Sequence, residues 1–454
     1  AFGNGGNINV KSENGKINTG RIAASSVNGN GGNVTINSPI NIETKQIISA
    51  ASNEGGKVEI TSGGNIQITD TTPVTIDSSS SNPTSTGNGG AITLASEGDI
   101  TISNQISSGV KGSGTGGDIN FNSNSGKIAS GDYDSSSSSG NGGAIDIIAF
   151  GDIITSAVIS GQDSDTSGSG GKITIDSNKG SITTTSINAA GGKGDGGTIE
   201  ITAFDNISTD FIKSSVLAFG NGGNINVKSE NGKINTGRIT ASSVNGNGGN
   251  VTLNSPINIE TKQIISAASN EGGKVEITSG GNIGITDTTP VTIDSSSSNP
   301  TSTGNGGAIT LDSEGDITIS NQISSGVKGS GTGGDINFNS NSGKIASGDY
   351  DSSSSSGNGG AIDIIAFGDI ITSAVISGQD SDTSGSGGKI TIDSNKGSIT
   401  TTSINAAGGK GDGGTIEISA FDNISTDFIK SSVLAFGNGG NINVKSENGK
   451  INTG

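Results

Sequence analysis

The residues of this chain that could do chemistry are carboxylates, hydroxyls and amines, because His, Cys, Met and Trp are all absent. Imidazole proton transfer, thiolate nucleophiles, disulfides and soft-ligand metal sites are therefore excluded. Among the oxygen donors, one spacing stands out. The stretch DSDTSG sets Asp163, Asp165 and Ser167 at alternate positions ahead of Gly168, which is the first half of a calcium loop of the type D-x-D-x-S-G. Thr174 stands where that loop would close on a bidentate Glu, so the stretch reads either as a weak Ca²⁺ site or as a plain polar turn. GGKGDGG from Gly191 approaches the nonapeptide of calcium-binding β-rolls, but Asp195 falls one place early and the motif is not reiterated. It reads as a glycine-rich corner.

Paired carboxylates could cleave a glycosidic bond, and clustered ones with a base could eliminate across an acidic sugar. Glu59, Asp118, Asp146 and Glu200 point outward beside apolar positions but do not cluster. Successive outward pairs read Asn7 and Asn9, Asn33 and Thr35, Lys57 and Glu59, Ala91 and Thr93, a changing polar surface without focus. No enzyme is expected, no catalytic or cofactor-binding residue is nominated, and Ca²⁺ is the one candidate ligand ion. Thr183 to Thr185 would suit ice only if neighbouring segments continued a flat Thr ladder, and they do not. The acceptor tripeptides at Asn33 and Asn206 are expected by chance in a chain this rich in Asn and Ser.

The net charge of −18, with Arg21 and Arg238 the only arginines, argues against a nucleic-acid partner. It reads as a solvated acidic surface that resists clumping, with cation cross-linking of acidic faces as the alternative. Apolar runs of a few residues cannot span a membrane as a helix.

Two levels of repetition must position whatever these residues do. AFGNGGNINVKSENGKINTG begins at Ala1, Ala218 and Ala435, a period of 217 residues. The second copy differs from the first at five positions: Ala23/Thr240, Ile36/Leu253, Gln67/Gly284, Ala95/Asp312 and Thr202/Ser419. Residues 1–217 are a first tandem unit, 218–434 a second, and 435–454 the start of a third, expected to form one continuous solenoid. A chain that starts and stops inside its own pattern, without an initiator Met or a signal peptide, is expected to be a window on a longer array.

Inside a unit a Gly-Gly pair recurs with its second Gly at Gly6, Gly32, Gly56, Gly90, Gly117, Gly143, Gly171 and Gly197, so eight short repeats of mostly 26–27 residues fill it. Two residues after each pair comes Ile or Val; four after comes another apolar residue, Val10 through Phe121 to Ile201; six after comes Ser or Ala. That is period two, a strand. An Ile follows ten or eleven residues on, from Ile17 to Ile207, and marks a second strand. A third inward station falls at Ile22, Ile47, Val74, Ile106, Tyr133, Val158, Ile187 and Ile212. The spacing predicts an all-β fold: a parallel β-helix, or β-solenoid, of three short strands per coil and about 17 coils. At about 4.8 Å per coil, a unit advances about 38 Å and the whole chain about 80 Å. A propeller is the structural rival, but it needs about forty residues per blade and closes at a fixed number.

Length variation collects before the Gly-Gly pairs, at Asp77 to Asn88, Gly109 to Thr115, Ser135 to Asn141 and Gly161 to Ser169, so the extra residues should project along one edge as a contact ridge. The same corner carries Phe211, Ile212, Val216, Leu217 and Phe219 once per unit. Phe211, Val216, Leu217 and Phe219 are contact-patch candidates, either folded over their own coil or offered to a neighbouring rod or ligand.

The segments GNGGNINVKSENGKINTGRIAASS, GNGGAIDIIAFGDIITSAVIS and GDGGTIEITAFDNISTDFIKSS resemble the repeat regions of large filamentous-haemagglutinin-like exoproteins, and the resemblance covers every coil. It implies a right-handed parallel β-helix, secretion by the two-partner route although the family's N-terminal secretion domain is missing here, and a place outside the cell or on its surface. The expected function is a structural fibre or surface filament whose partners are further copies of its own repeat, along the chain and laterally. An adhesin binding glycans or neighbouring cells through the loop ridge is the alternative.

Overall fold

The computed structural model describes residues 3–454 apart from 163, 165, 218, 380, 381, 384 and 435. The described residues form short β-strands and no helix. They divide into two compact units, Ala1–Gly232 and Lys233–Gly454. Each is a β-solenoid in which every strand pairs in parallel with its counterpart one turn away. The first strand of a turn occurs nine times in the first unit, from Ile8–Lys11 to Ile225–Ser229, and eight times in the second, from Val251–Ser255 to Ile442–Ser446, which makes about 17 turns in all.

Strict alternation of β-branched and polar residues builds these first strands. In the first unit Ile8, Val34, Val58, Ile92, Ile119, Ile145, Ile173, Ile199 and Ile225 lie one above another in register. All but Ile8 are buried. The second-strand column of Ile17, Ile42, Ile66, Ile100, Ile128, Ile153, Ile182 and Ile207 is likewise in register and buried. Three strands per turn is the common pattern. In Ile182–Asn188, Ile207–Lys213, Ile234–Thr240, Ile399–Asn405 and Ile424–Lys430 the second and third run together as one seven-residue strand.

The third column holds one correction. Ile47 and Ile106 both pair with Ile76, while the expected Val74 pairs with Gln105 and is only half-buried. A register shift between Gln105 and Ile106 leaves Thr75 as an extra buried residue, so a β-bulge breaks the period of two and moves the inward station by two residues. The widest side chains share one turn: Phe121 and Tyr133 meet edge-to-face at 5.1 Å, and the Tyr133 hydroxyl accepts a 2.9 Å hydrogen bond from Ser130. Phe338 and Tyr350 repeat this in the second unit, again at 5.1 Å.

Each turn is closed by a clasp. The second Gly of a pair donates its N–H to the carbonyl of a small residue ending the preceding third strand: Gly56 to Ser49 at 2.9 Å, Gly90 to Ser78 at 2.8 Å, Gly117 to Ser108 at 2.9 Å. The hydroxyl of that same Ser, fully buried, donates back across the turn to the Gly that opens it, Ser49 to Gly32, Ser78 to Gly56 and Ser108 to Gly90. The approach is so close that a Cβ at Gly55 would land on the Ser78 carbonyl oxygen. No described glycine has a positive φ, so space and not backbone conformation selects Gly at the clasp.

Asn and Asp fill the corners for a second reason. Their side-chain oxygens accept the backbone N–H of the equivalent residue one turn on: Asn41 from Asn65, Asn65 from Asp99 and Asp99 from Lys127, each at 2.9 Å. Asp118 and Asp152 do the same for Ala144 and Ser181. These ladders satisfy backbone donors that the short strands leave over at the bends.

Candidate functional site

The corner between the third strand and the Gly-Gly pair, where turn length varies, is the surface with the most chemistry. It is more ordered than a projecting edge. Ser26, Ala51, Ser80, Val110 and Ser137 bridge from turn to turn in a further short parallel ladder, as do Gly191 and Val216. Ala51, Ser80, Val110 and Ser137 are buried. The column escapes a hydropathy reading because Ser, Gly, Ala and Val share it.

That ladder divides the apolar cluster. Val216 occupies the buried bridge station and belongs to the core of its turn. Phe211 pairs with Ser186 on the strand Ile207–Lys213 and is half-buried. Leu217 and Phe219, just past the bridge, are exposed, Phe219 by 77%. Of the four contact-patch candidates, Leu217 and Phe219 thus form the outward part. A second apolar cluster escaped the sequence reading: Phe150 and Ile154 of one turn are 43% and 51% exposed, and Phe367 and Ile371 repeat them. Their turn reads IDIIAFGDIIT, where the breach of alternation at Ile148 and Ile154 was the available signal.

Asp163 and Asp165 of the calcium candidate lie outside the described residues. Ser167 is buried, and its hydroxyl is committed to the carbonyls of Gln162 at 2.6 Å and Ser164 at 3.1 Å. Among the described residues no group of three or more carboxylates is placed to share a metal ion. The outward carboxylates are dispersed: Glu59 pairs with Lys57 at 2.8 Å and Glu200 with Lys172 at 2.7 Å, both pairs about half exposed, and Asp118 caps Ala144. The ammonium of Lys172 is held above its usual range by its hydrogen bond to Glu200. Burial raises the carboxyl of Asp176 on the same face, with the charge of Glu230 adding to it.

The ridge also contains a recess. Along the outward column that follows the third strands, Ser79, Gly109 and Ser136 succeed one another, so Gly109 leaves a gap between two hydroxyl-bearing neighbours. The cavity there is about 240 Å³ and is lined by Ser107, Lys111, Asp134 and Gln162 as well. Asp134 Oδ1 accepts from the Ser136 N–H at 3.0 Å and hydroxyl at 2.7 Å, and Gln162 Nε2 donates to the Ser136 hydroxyl at 3.0 Å. The Asp134 carboxylate flanks the gap: a Cβ on Gly109 would lie 3.4 and 3.5 Å from its two oxygens. The second unit has the same recess at Gly326, about 250 Å³, beside Asp351 and Lys328, with Ser353 capped by Asp351 at the same distances.

No family model matches the chain, and no curated protein or solved structure matches it either.

Proposed function

We propose that the chain is a non-catalytic section of an extracellular or cell-surface filament of the filamentous-haemagglutinin-like kind, in which tandem solenoid units set length and carry load. One observation supports this above the others. Within each unit every turn presents the same stations in register to the turn before and the turn after, so the stabilising contacts recur along one direction and further units can be added without a new design. The 217-residue units differ at only five positions, which is how spacing elements look and not how specialised domains look.

Electron microscopy of chains with increasing numbers of units tests the proposal. Unbranched particles should lengthen by about 38 Å for each unit added. Particles that stay compact as units are added would refute it. The adhesin reading is favoured by the paired recess on the ridge, which a pure spacer does not need.

A further inference from the structure

We propose that the recess at Gly109, repeated at Gly326, binds one ring of a neutral saccharide through its hydroxyls, giving the filament one weak sugar site per 217 residues. About 240 Å³ is below the roughly 300 Å³ at which clefts begin to enclose drug-sized ligands, and it suits a single small ring.

The chemistry of the lining narrows the class. An adjacent pair of sugar hydroxyls needs an acceptor and donors side by side. Asp134 Oδ1 is committed to Ser136, and Oδ2 has no hydrogen-bond donor among the described residues, so Oδ2 is the acceptor on offer. Lys111 and Ser107 line the same recess and carry donor groups. One carboxylate and one ammonium balance in charge. An anion would meet Asp134, and a divalent cation would find a single carboxylate in a lining that also includes a lysine, where six to eight oxygens are wanted. A neutral polyol meets neither obstacle. The recess has no aromatic wall, so affinity at one site is weak. Tandem units convert weak sites into avidity on a surface that carries many copies of the sugar.

The proposal rests on the filament reading only for that avidity, since binding at one recess is independent of filament length. Intact chain is titrated with the methyl glycosides of glucose, galactose, mannose and N-acetylglucosamine, followed by saturation-transfer NMR. At least one glycoside should bind at two sites per chain with millimolar affinity. Asp134→Asn with Asp351→Asn keeps Oδ1 for the Ser136 and Ser353 caps but replaces the facing acceptor by a donor, and should weaken binding about tenfold. Gly109→Ala with Gly326→Ala occupies the gap and should abolish the transfer, with the circular dichroism spectrum unchanged. No transfer to any of the four glycosides, or affinity unchanged in the double Asn variant, overturns the proposal. The unit-by-unit length increment would stand in either case, so the two failures are distinguishable.

Discussion

Gly55 and Gly109 are the same residue type, two turns apart in one unit, and they are glycine for opposite reasons. At Gly55 the chain crosses the end of a third strand with no room for another atom, since a Cβ would coincide with the Ser78 carbonyl oxygen. At Gly109 the nearest atom to a Cβ is the Ser136 carbonyl oxygen at 3.2 Å, and the missing side chain is the recess itself. The first glycine closes the turn and belongs to the fold. The second shapes the surface and belongs to whatever the surface meets. A glycine-rich repeat is thus a mixture of structural necessity and local function, and composition cannot separate the two.

Substitution separates them. Gly55→Ala should be the most damaging single change, costing about 3 kcal/mol or more, because the Cβ would meet both the Ser78 carbonyl oxygen and the Gly90 nitrogen, the two ends of the next turn's backbone closure, and that backbone must move. Hydrogen exchange should show amides of the turns on either side of Gly55 opening together, since a repeat array loses structure locally. Ser78→Ala should cost less, about 1 kcal/mol, by removing the hydroxyl that reaches the Gly56 carbonyl while leaving the backbone closure of Gly90 to residue 78 intact. Ala24 and Ala189 already stand at that station, accepting from Gly32 and Gly197 at 2.7 Å, which fixes Ala as tolerated there. Gly109→Ala should shift the urea midpoint least, within about 1 kcal/mol either way, because a tight contact is offset by the lower entropy of the unfolded chain. A cost at Gly109 equal to that at Gly55 would erase the distinction.

The aromatic turn offers a spectroscopic check on how dry the interior is. Tyr133 and Tyr350 are the only tyrosines, both are fully buried, and burial holds their phenols well above the ordinary range, opposed in part by the Ser130 and Ser347 hydrogen bonds. A raised folded pKa means that the neutral phenols' contribution to stability is fully present below about pH 10 and is lost as pH rises toward the folded value. The folded chain should show no phenolate absorbance at about pH 11, whereas the urea-unfolded chain should titrate near 10. Phenolate appearing near 10 with the fold intact would place the rings in water.

Most of the architecture was legible from Ile and Val spacing, since a parallel ladder puts like above like and the type of residue at a station is its address. What escaped followed different physics. Val74 fits the spacing but lost its station to Ile76 because a bulge at Thr75 is invisible to a count of two. The bridge ladder through Ser26, Ala51, Ser80, Val110 and Ser137, and the Ser clasp, are selected for smallness and hydrogen bonding, which apolar periodicity does not register. Val216 stood open between a loop folded over its own coil and an outward contact, and the bridge ladder assigns it to the first. The ridge was legible as a place, from varying repeat length, but the recess required knowing that Ser79, Gly109 and Ser136 are neighbours though 30 and 27 residues apart in sequence.

Register between consecutive turns is the claim on which all of this depends, and the absence of cysteine makes it directly measurable. Thr35, Glu59 and Thr93 point outward and lie in register on three successive turns. Neighbours in such a ladder are about 4.8 Å apart, within the Cα separation a disulfide spans, while positions two turns apart are about twice that and outside it. Copper-catalysed oxidation followed by mass spectrometry should find an intramolecular cross-link in Thr35→Cys with Glu59→Cys and in Glu59→Cys with Thr93→Cys, and none in Thr35→Cys with Thr93→Cys. A cross-link in the last pair, or in neither of the first two, would contradict the stacked solenoid.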